Sequence, residues 1–192
     1  GSTGLPKGVM IQHNNLLNYL RWCCDNYLFE EGNGVVLHSS IAFDMSITDL
    51  YPPLIKGKCL YITKEEYGPD SLIHVLNDNI KYSCIKITPT HIKLFKETIK
   101  AEEIYQNISR IIIGGESLSR NDISELSQIF PNAIYINEYG PTETTVGCSI
   151  FTFPKNDTSL KSLGNSIPIG HPISNTQIYI LDDRMEPVSN GM

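Results

Sequence analysis

The sequence predicts an α/β fold, in which βαβ units form a mostly parallel sheet with flanking helices and a short antiparallel β section lies near the C-terminus. Apolar runs typical of buried strands begin roughly every 25 residues through most of the chain. Segments with helical spacing of apolar residues lie between them, and this alternation is typical of parallel sheets. From about Thr145 onward, β-like runs alternate with Gly/Ser/Pro-rich stretches, which favours antiparallel strands.

The first helix is predicted over residues 13–28, HNNLLNYLRWCCDNYL. Asn14 or Asn15 can cap it, and its predicted apolar face consists of Leu16, Leu17, Leu20, Cys24, Tyr27 and Leu28. A buried strand, VVLHSS, follows and leads into a loop at FDMS.

Four further apolar runs predict strands: CLYIT, CIKIT, RIIIGG and AIYINEYG. The helical patterns between them are PDSLIHVLNDN, PTHIKLFKETI and SRNDISELSQIF. The first two begin with proline, which suits the first turn of a helix. After Thr145, the runs TVGCSIFTF and TQIYILDD predict the antiparallel strands.

Composition and charge exclude several classes of partner. The chain has 192 residues, a net charge of −6 and no Lys/Arg cluster, which argues against nucleic acid or an anionic membrane as partner. No apolar run approaches the roughly 20 residues of a membrane span.

The five cysteines include no CxxC pair, and the histidines lack metal-ligand spacing. Free thiols in a reducing cytoplasm are therefore expected.

The segment GSTGLPKG at residues 1–8 has the chemistry of a phosphate-binding loop. Its glycines let backbone N–H groups approach an anion, Ser2 and Thr3 can donate to phosphate oxygens, and Lys7 supplies a positive charge. The spacing is not that of a Walker loop, because Pro6 precedes the lysine and no Ser or Thr follows it. Gly-Ser is also a common remnant of tag removal, so two interpretations of the first two residues stay open.

Polar or glycine-rich segments follow four of the predicted strands: FDMS, KIT, GGES and NEYGPTETT. Ligands of open α/β sheets bind beyond the carboxyl ends of the strands, so these segments predict one site. In the last of them, Tyr139 offers a flat face for a base, and Thr142 and Thr144 offer hydroxyls. Glu143 is an oxygen ligand suited to Mg²⁺. A polar turn bent at Gly140 is the structural alternative.

GSTGLPKG, FDMS and NEYGPTETT, in this order, resemble the core motifs of adenylate-forming enzymes, and more narrowly of the adenylation domains of nonribosomal peptide synthetases. The stretch SLGNSIPIGHPISNTQIYILDD is also similar to that family and extends the resemblance through nearly the whole chain. The resemblance implies that residues 1–192 are an internal part of an adenylation (AMP-binding) domain, truncated at both ends. It would be the central part of the large N-terminal subdomain, with an α/β part over about 1–144 and a mainly β part over about 145–192.

The resemblance also implies the reaction, in which an amino acid and Mg·ATP give aminoacyl-AMP and pyrophosphate. The acyl group then passes to a phosphopantetheine thiol on a peptidyl carrier domain, with a condensation domain as a further partner. The implied ATP-binding residues are Ser2, Thr3, Gly4, Lys7, Gly115, Glu116, Ser117, Asn137, Tyr139, Gly140 and Thr142. Thr142 and Glu143 are the implied catalytic residues, and Glu143 is the implied Mg²⁺ ligand.

The amino-acid pocket implied by the resemblance is formed by Asp44, Met45, Thr48, Lys86, Ile112, Gly114, Glu138, Val146 and Gly147. Lys86 and Glu138 lie in apolar strands, where a charge is costly unless it is paired or meets a ligand. With Asp44 on the α-ammonium group, one donor and one acceptor face the side chain, which fits a primary amide. We therefore expect asparagine as the substrate, with glutamine as its nearest rival. Met45, Ile112 and Val146 can also be explained as packing residues.

Two alternatives stay open from the sequence. An acyl-CoA ligase or a luciferase-like enzyme shares the phosphate loop, but Asp44 suits an α-ammonium group, which fatty acids lack. A non-catalytic fragment is the other alternative, because the family's ribose-binding aspartate and lysine-bearing C-terminal domain are not in this sequence. We therefore expect the 192-residue chain alone to be inactive.

Overall fold

The computed structural model describes residues 8–63, 71–100, 102–153 and 164–189. Seven strands of this part form one sheet in the order β2-β1-β3-β4-β5-β6-β7. The strands are β1 Gly34–Leu37, β2 Cys59–Ile62, β3 Tyr82–Ile87, β4 Arg110–Gly114, β5 Ile134–Tyr139, β6 Ser149–Thr152 and β7 His171–Pro172. The first five pair in parallel, and β6 and β7 add to the sheet in antiparallel fashion. The predicted fold class is confirmed.

The α-helices of the described part are α1 His13–Asn26, α2 Ser46–Ile55, α3 Ser71–Leu76, α4 Pro89–Thr98 and α5 Arg120–Ile129. The start of α5 shows how the sequence determines a boundary. The Ser119 hydroxyl accepts a hydrogen bond from the backbone N–H of Asp122 at 3.2 Å, and the Asp122 carboxylate accepts one from the backbone N–H of Ser119 at 2.8 Å. This reciprocal pair satisfies two N–H groups at the helix start.

The sheet separates two apolar layers, because successive side chains of a strand point to opposite faces. Ile111 and Ile113 of β4 face a core that includes residues of α3, α4 and α5. Ile112 between them faces a second core that includes residues of α1. Lys86 and Glu138 alternate in the same way, and therefore point toward α1 and α2.

The structure corrects three details of the predicted elements. Helix α1 begins at His13, so Gln12 is its N-cap, and neither Asn14 nor Asn15 occupies that position. Leu17 and Leu28 are exposed, because the buried face of α1 is centred on Tyr19 and Cys23 and the helix ends at Asn26, before Leu28. The third correction is that TQIYILDD forms no strand; it contributes a single bridge between Leu181 and Pro187.

Helix α2 was not among the predicted elements, and it begins at Ser46, the last residue of FDMS. Pro52 and Pro53 lie inside it, although proline removes a backbone donor and is disfavoured within helices. Both prolines are buried. Among the described residues, no helix is long and apolar enough to cross a membrane.

Candidate functional site

The carboxyl ends of β1, β3, β4 and β5 lie side by side, which brings the loops that follow them to one edge of the sheet. Lys86 of β3 is in register with Ile112 of β4, and Gly114 of β4 is in register with Glu138 of β5. Helix α2 packs against β1 and β3, so it brings Thr48 to the same region. Residues predicted from separate motifs therefore meet in space.

Lys86 and Glu138 form a buried ion pair in which Lys86 Nζ contacts Glu138 Oε1. The two residues are 2% and 4% exposed, so neither charge is solvated from outside. Lys86 Nζ also donates to Thr48 Oγ1 at 2.8 Å and to the Tyr19 hydroxyl at 3.4 Å. All three ammonium donors thus have partners, which a buried charge requires.

Glu138 is held by two tyrosines of the α1 segment. The Tyr27 hydroxyl donates to Glu138 Oε2, and the Tyr19 hydroxyl lies 3.2 Å from both carboxylate oxygens. Burial raises the pKa of both tyrosine hydroxyls well above the usual value, and the Glu138 charge acts in the same direction. Both groups therefore remain phenols that donate to the carboxylate.

Sequence reasoning missed the role of these tyrosines. Tyr19 was not singled out, and Tyr27 was assigned only to the apolar face of the helix. The available signal was their spacing: Tyr19, Cys23 and Tyr27 lie four residues apart, and thus on one face of a helix. That face points at the strand residues that carry the two buried charges.

Gly114 and Gly147 leave room for Glu138 because neither has a Cβ atom. A Cβ atom on Gly147 would lie 2.6 Å from Glu138 Cδ, and one on Gly114 would lie 2.8 Å from the Glu138 carbonyl oxygen. Both distances are shorter than side chains tolerate. Gly114 and Gly147 are therefore needed for the packing of Glu138 within the cluster.

The remaining predicted pocket residues separate into polar and packing positions. Asp44 is half-buried, and its Oδ2 atom is buried with no hydrogen-bond partner among the described residues. Ile112 and Val146 lie in the apolar core beneath the pair. Met45 is half-buried at the N-cap of α2. Among the remaining predicted pocket residues, Asp44 is thus the polar one whose carboxylate oxygen has no hydrogen-bond donor in the described part of the chain.

The predicted nucleotide-binding residues that the structure describes form an open rim beside the predicted amino-acid pocket. Tyr139 at the end of β5 is 46% exposed, and residues 115–117 after β4 are also exposed. Gly115 has a φ of +84°, which favours glycine at this position. Glu116 accepts a hydrogen bond from the Thr90 hydroxyl at 2.8 Å. Asn137 differs from them because it is buried and donates from Nδ2 to the Pro168 carbonyl at 2.8 Å.

Thr142–Thr144 form a single 3-10 turn that is fully on the surface. The turn is followed by Thr145 and Val146, which both have a φ of 68°. This backbone is costly for residues with a branched Cβ, and such strain persists where the surrounding structure holds it in place. A Cβ atom on Gly140 would lie 2.6 Å from the Val146 carbonyl oxygen, so this loop packs closely against the end of β5.

Glu143 is an exposed carboxylate with no ion-pair partner among the described residues. Those residues also contain no cluster of three or more His, Cys, Asp or Glu side chains arranged for a metal. A single free carboxylate fits Mg²⁺, which is often held by one or two carboxylates together with substrate phosphates. Ser2, Thr3, Gly4 and Lys7 lie outside the described residues.

Comparison with known proteins places these features in a family. The family model described as AMP-binding enzyme matches residues 1–192. Tyrocidine synthase 3 of Brevibacillus parabrevis is 39% identical over 192 aligned residues, which cover 100% of this chain and 3% of that protein. Bacitracin synthase 3 of Bacillus licheniformis is 40% identical over 188 aligned residues, which cover 97% of this chain and 3% of that protein. The chain spans between 3% and 7% of the length of the first curated relatives it matches.

Two crystal structures share the fold. One is the Vibrio cholerae adenylation domain AlmE in complex with glycyl-adenosine-5′-phosphate, with a TM-score of 0.76 and 26% identity over 97% of this chain and 34% of that one. The other is a four-domain nonribosomal peptide synthetase bound to AMP and glycine. Its TM-score is 0.79 and its identity is 28%, over 97% of this chain and 13% of that one.

Proposed function

This chain belongs to the family of AMP-binding enzymes, and from that premise we propose that the protein carrying it activates an amino acid with ATP. The products of this step are aminoacyl-AMP and pyrophosphate. The crystal structures of similar fold support the proposal, since one holds an aminoacyl adenylate and the other holds AMP and glycine.

The proposed amino acid is asparagine, and the observation that carries this proposal is the buried pair of Lys86 and Glu138. The pair presents one cationic donor and one anionic acceptor in a region closed to solvent. A primary amide matches both, because its carbonyl accepts from the ammonium and its NH₂ group donates to the carboxylate. The unpartnered oxygen of Asp44 would accept from the α-ammonium group.

Other side chains fit this pair less well. Aspartate would place a second carboxylate beside Glu138, and such a like-charge contact costs several kcal/mol where water is excluded. Leucine would separate the two charges without satisfying either. A site built on hydrogen bonds can reject such an apolar analogue by about 10⁴-fold.

The rim would bind the nucleotide. Tyr139 would stack on the adenine base, Thr142 would bind the α-phosphate, and Glu143 would hold Mg²⁺ that neutralises phosphate charge. Asn137 already uses its amide group within the fold, so it would contribute to the adenine site mainly by supporting the end of β5.

The second half of the proposed function is transfer of the aminoacyl group to a phosphopantetheine thiol on a peptidyl carrier domain. The likeness to a four-domain nonribosomal peptide synthetase supports such partners, including a condensation domain. Asparagine would then be incorporated into a peptide product.

The test is amino-acid-dependent pyrophosphate exchange by the full-length protein across all proteinogenic amino acids. We expect the highest kcat/KM with asparagine, a value about 100-fold lower with aspartate and a value about 10⁴-fold lower with leucine. Best activity with a hydrophobic amino acid would mean that Lys86 and Glu138 do not recognise the side chain. No exchange with any amino acid would contradict the adenylation activity itself.

A further inference from the structure

Asp49 is a buried carboxyl group that the proposed site does not use. It follows Thr48 on α2 and is 0% exposed. Both of its carboxyl oxygens are buried and have no hydrogen-bond partner among the described residues. A buried polar group without a partner is costly, so such a group in a native fold calls for an explanation.

The charged groups that act on Asp49 belong to the substrate pocket. Burial raises the pKa of the Asp49 carboxyl well above its usual value, the negative charge of Glu138 acts in the same direction, and the positive charge of Lys86 opposes both. The elements that pack against α2 are α1, β1, β2 and β3. The buried titratable side chains on them are Tyr19, Cys23 and Cys24 of α1 and Tyr82, Cys84 and Lys86 of β3. His13, Arg21 and Asp25 of α1 and Cys59 of β2 are exposed, and Tyr61 of β2 is half-buried. Lys86 is the buried cation among these residues.

The Lys86 ammonium group lies next to the helix turn that carries Asp49. Lys86 Nζ donates to Thr48 Oγ1 at 2.8 Å, and Thr48 directly precedes Asp49 on α2. Lys86 and Asp49 form no ion pair in this arrangement, because the ammonium donors are occupied by Glu138, Thr48 and Tyr19. The cluster therefore contains one cation, Lys86, and two carboxyl groups. Of these two, Glu138 is paired with Lys86 and Asp49 is not.

We propose that Asp49 is a positioning residue for amide recognition, which receives the Lys86 ammonium group when a substrate amide separates Lys86 from Glu138. The proposal rests on the proposed function. An amide inserted between Lys86 and Glu138 satisfies Glu138 with its NH₂ group, but it gives Lys86 a neutral carbonyl in place of an anion. A second carboxylate beside Lys86 restores the missing negative charge.

When Lys86 changes its partner from Glu138 to Asp49, one proton is released. In the closed pair, Asp49 retains its carboxyl proton. When the ammonium group turns toward it, the O–H bond of the carboxyl breaks, the proton passes to solvent, and the carboxylate pairs with Lys86. Asparagine binding is then accompanied by proton release, which a purely structural carboxyl group would not cause.

The experiment is isothermal titration calorimetry of asparagine into the full-length protein near pH 7, in two buffers with different ionisation enthalpies. For the wild type we expect release of close to one proton per asparagine bound. Asp49→Asn keeps the shape of the side chain but cannot ionise. We expect it to bind asparagine about 10-fold more weakly and to release almost no proton. Asp49→Glu should retain proton release.

Asp25→Asn is the matched control, because it removes an exposed carboxylate from α1 and should match the wild type in both measurements. Proton release that is unchanged in Asp49→Asn, or absent in the wild type, would overturn the role of Asp49. Absence of proton release in the wild type decides the question even if Asp49→Asn does not fold. If the wild type binds no asparagine, the proposed function fails, and the role of Asp49 fails with it.

Discussion

The proposed amino-acid pocket around Lys86 and Glu138 is closed and internally paired, whereas the rim from Tyr139 to Thr144 is open and forms few side-chain bonds. In the pocket, the ammonium, the carboxylate, two tyrosine hydroxyls and one threonine hydroxyl satisfy one another. On the rim, Tyr139 is 46% exposed and Glu143 is an exposed carboxylate without an ion pair among the described residues.

Under the proposed function, this difference corresponds to two recognition problems. A side chain without charge is selected by hydrogen bonds that are costly to leave unmade, and such selection needs a dry, pre-positioned site. A triphosphate brings several charges and its own metal ion, so an exposed surface of backbone groups and one carboxylate can bind it. The pocket should therefore control amino-acid choice and stability, and the rim should control nucleotide use.

The largest expected effect is on stability. Lys86→Met leaves Glu138 buried without its cation, and we expect a loss of about 3–5 kcal/mol in the free energy of unfolding. Lys96→Met is the matched control, since it breaks an ion pair with Glu125 in which the lysine side chain is 64% exposed. That pair should contribute less than about 1 kcal/mol. Equal losses for the two variants in urea unfolding would contradict the contrast between buried and exposed pairs.

Glu138→Gln should change amino-acid selection. The neutral amide removes the like charge that opposes aspartate, so the ratio of kcat/KM for asparagine to that for aspartate should fall by about 100-fold. Pyrophosphate exchange with both amino acids measures this ratio, and the KM for ATP should stay within about twofold. An unchanged ratio would show that Glu138 does not face the substrate side chain.

Gly147→Ala tests whether the position of Glu138 matters apart from its charge. The new Cβ atom would lie 2.6 Å from Glu138 Cδ, and the tyrosines on the other side leave the carboxylate little room to move. We expect kcat/KM for asparagine to fall about 30-fold in the exchange assay. In the control Gly164→Ala, the added Cβ atom has no heavy atom within 4 Å, so activity should be unchanged. Similar losses in both variants would indicate a general effect of added bulk.

On the rim, Glu143→Ala should raise the KM for Mg·ATP about 10-fold through loss of a metal ligand. The ratio of asparagine to aspartate use should not change, because Glu143 does not contact the pair of buried charges. The measurement is ATP-dependent exchange at several Mg²⁺ concentrations. A change in amino-acid preference would mean that pocket and rim are not separate.

Sequence patterns predicted most of the strands and the unusual position of Lys86 and Glu138, because a Lys and a Glu inside apolar runs stand out whatever the surrounding fold. That these two residues recognise a substrate stays a prediction. The patterns did not predict the tyrosines that hold Glu138, since an aromatic residue on a helix face gives the same signal whether it fills a core or donates a hydrogen bond. Helix α2 was missed because two consecutive prolines, Pro52 and Pro53, indicate a helix break when only the neighbouring sequence is considered. Packing against α1 and β1 stabilises the helix despite them. The roles of the rim residues depend on ligands and stay predictions.

The most direct test of the central claim replaces the buried pair as a unit. Removing both charges with apolar side chains of similar size is often neutral for stability, so Lys86→Met combined with Glu138→Leu should fold. Pyrophosphate exchange with asparagine and leucine then measures what the pair recognises. We predict that the preference for asparagine is lost and that leucine becomes the better substrate, a change in relative kcat/KM of more than about 10⁴-fold. A folded double variant that still prefers asparagine would contradict recognition of the amide by Lys86 and Glu138.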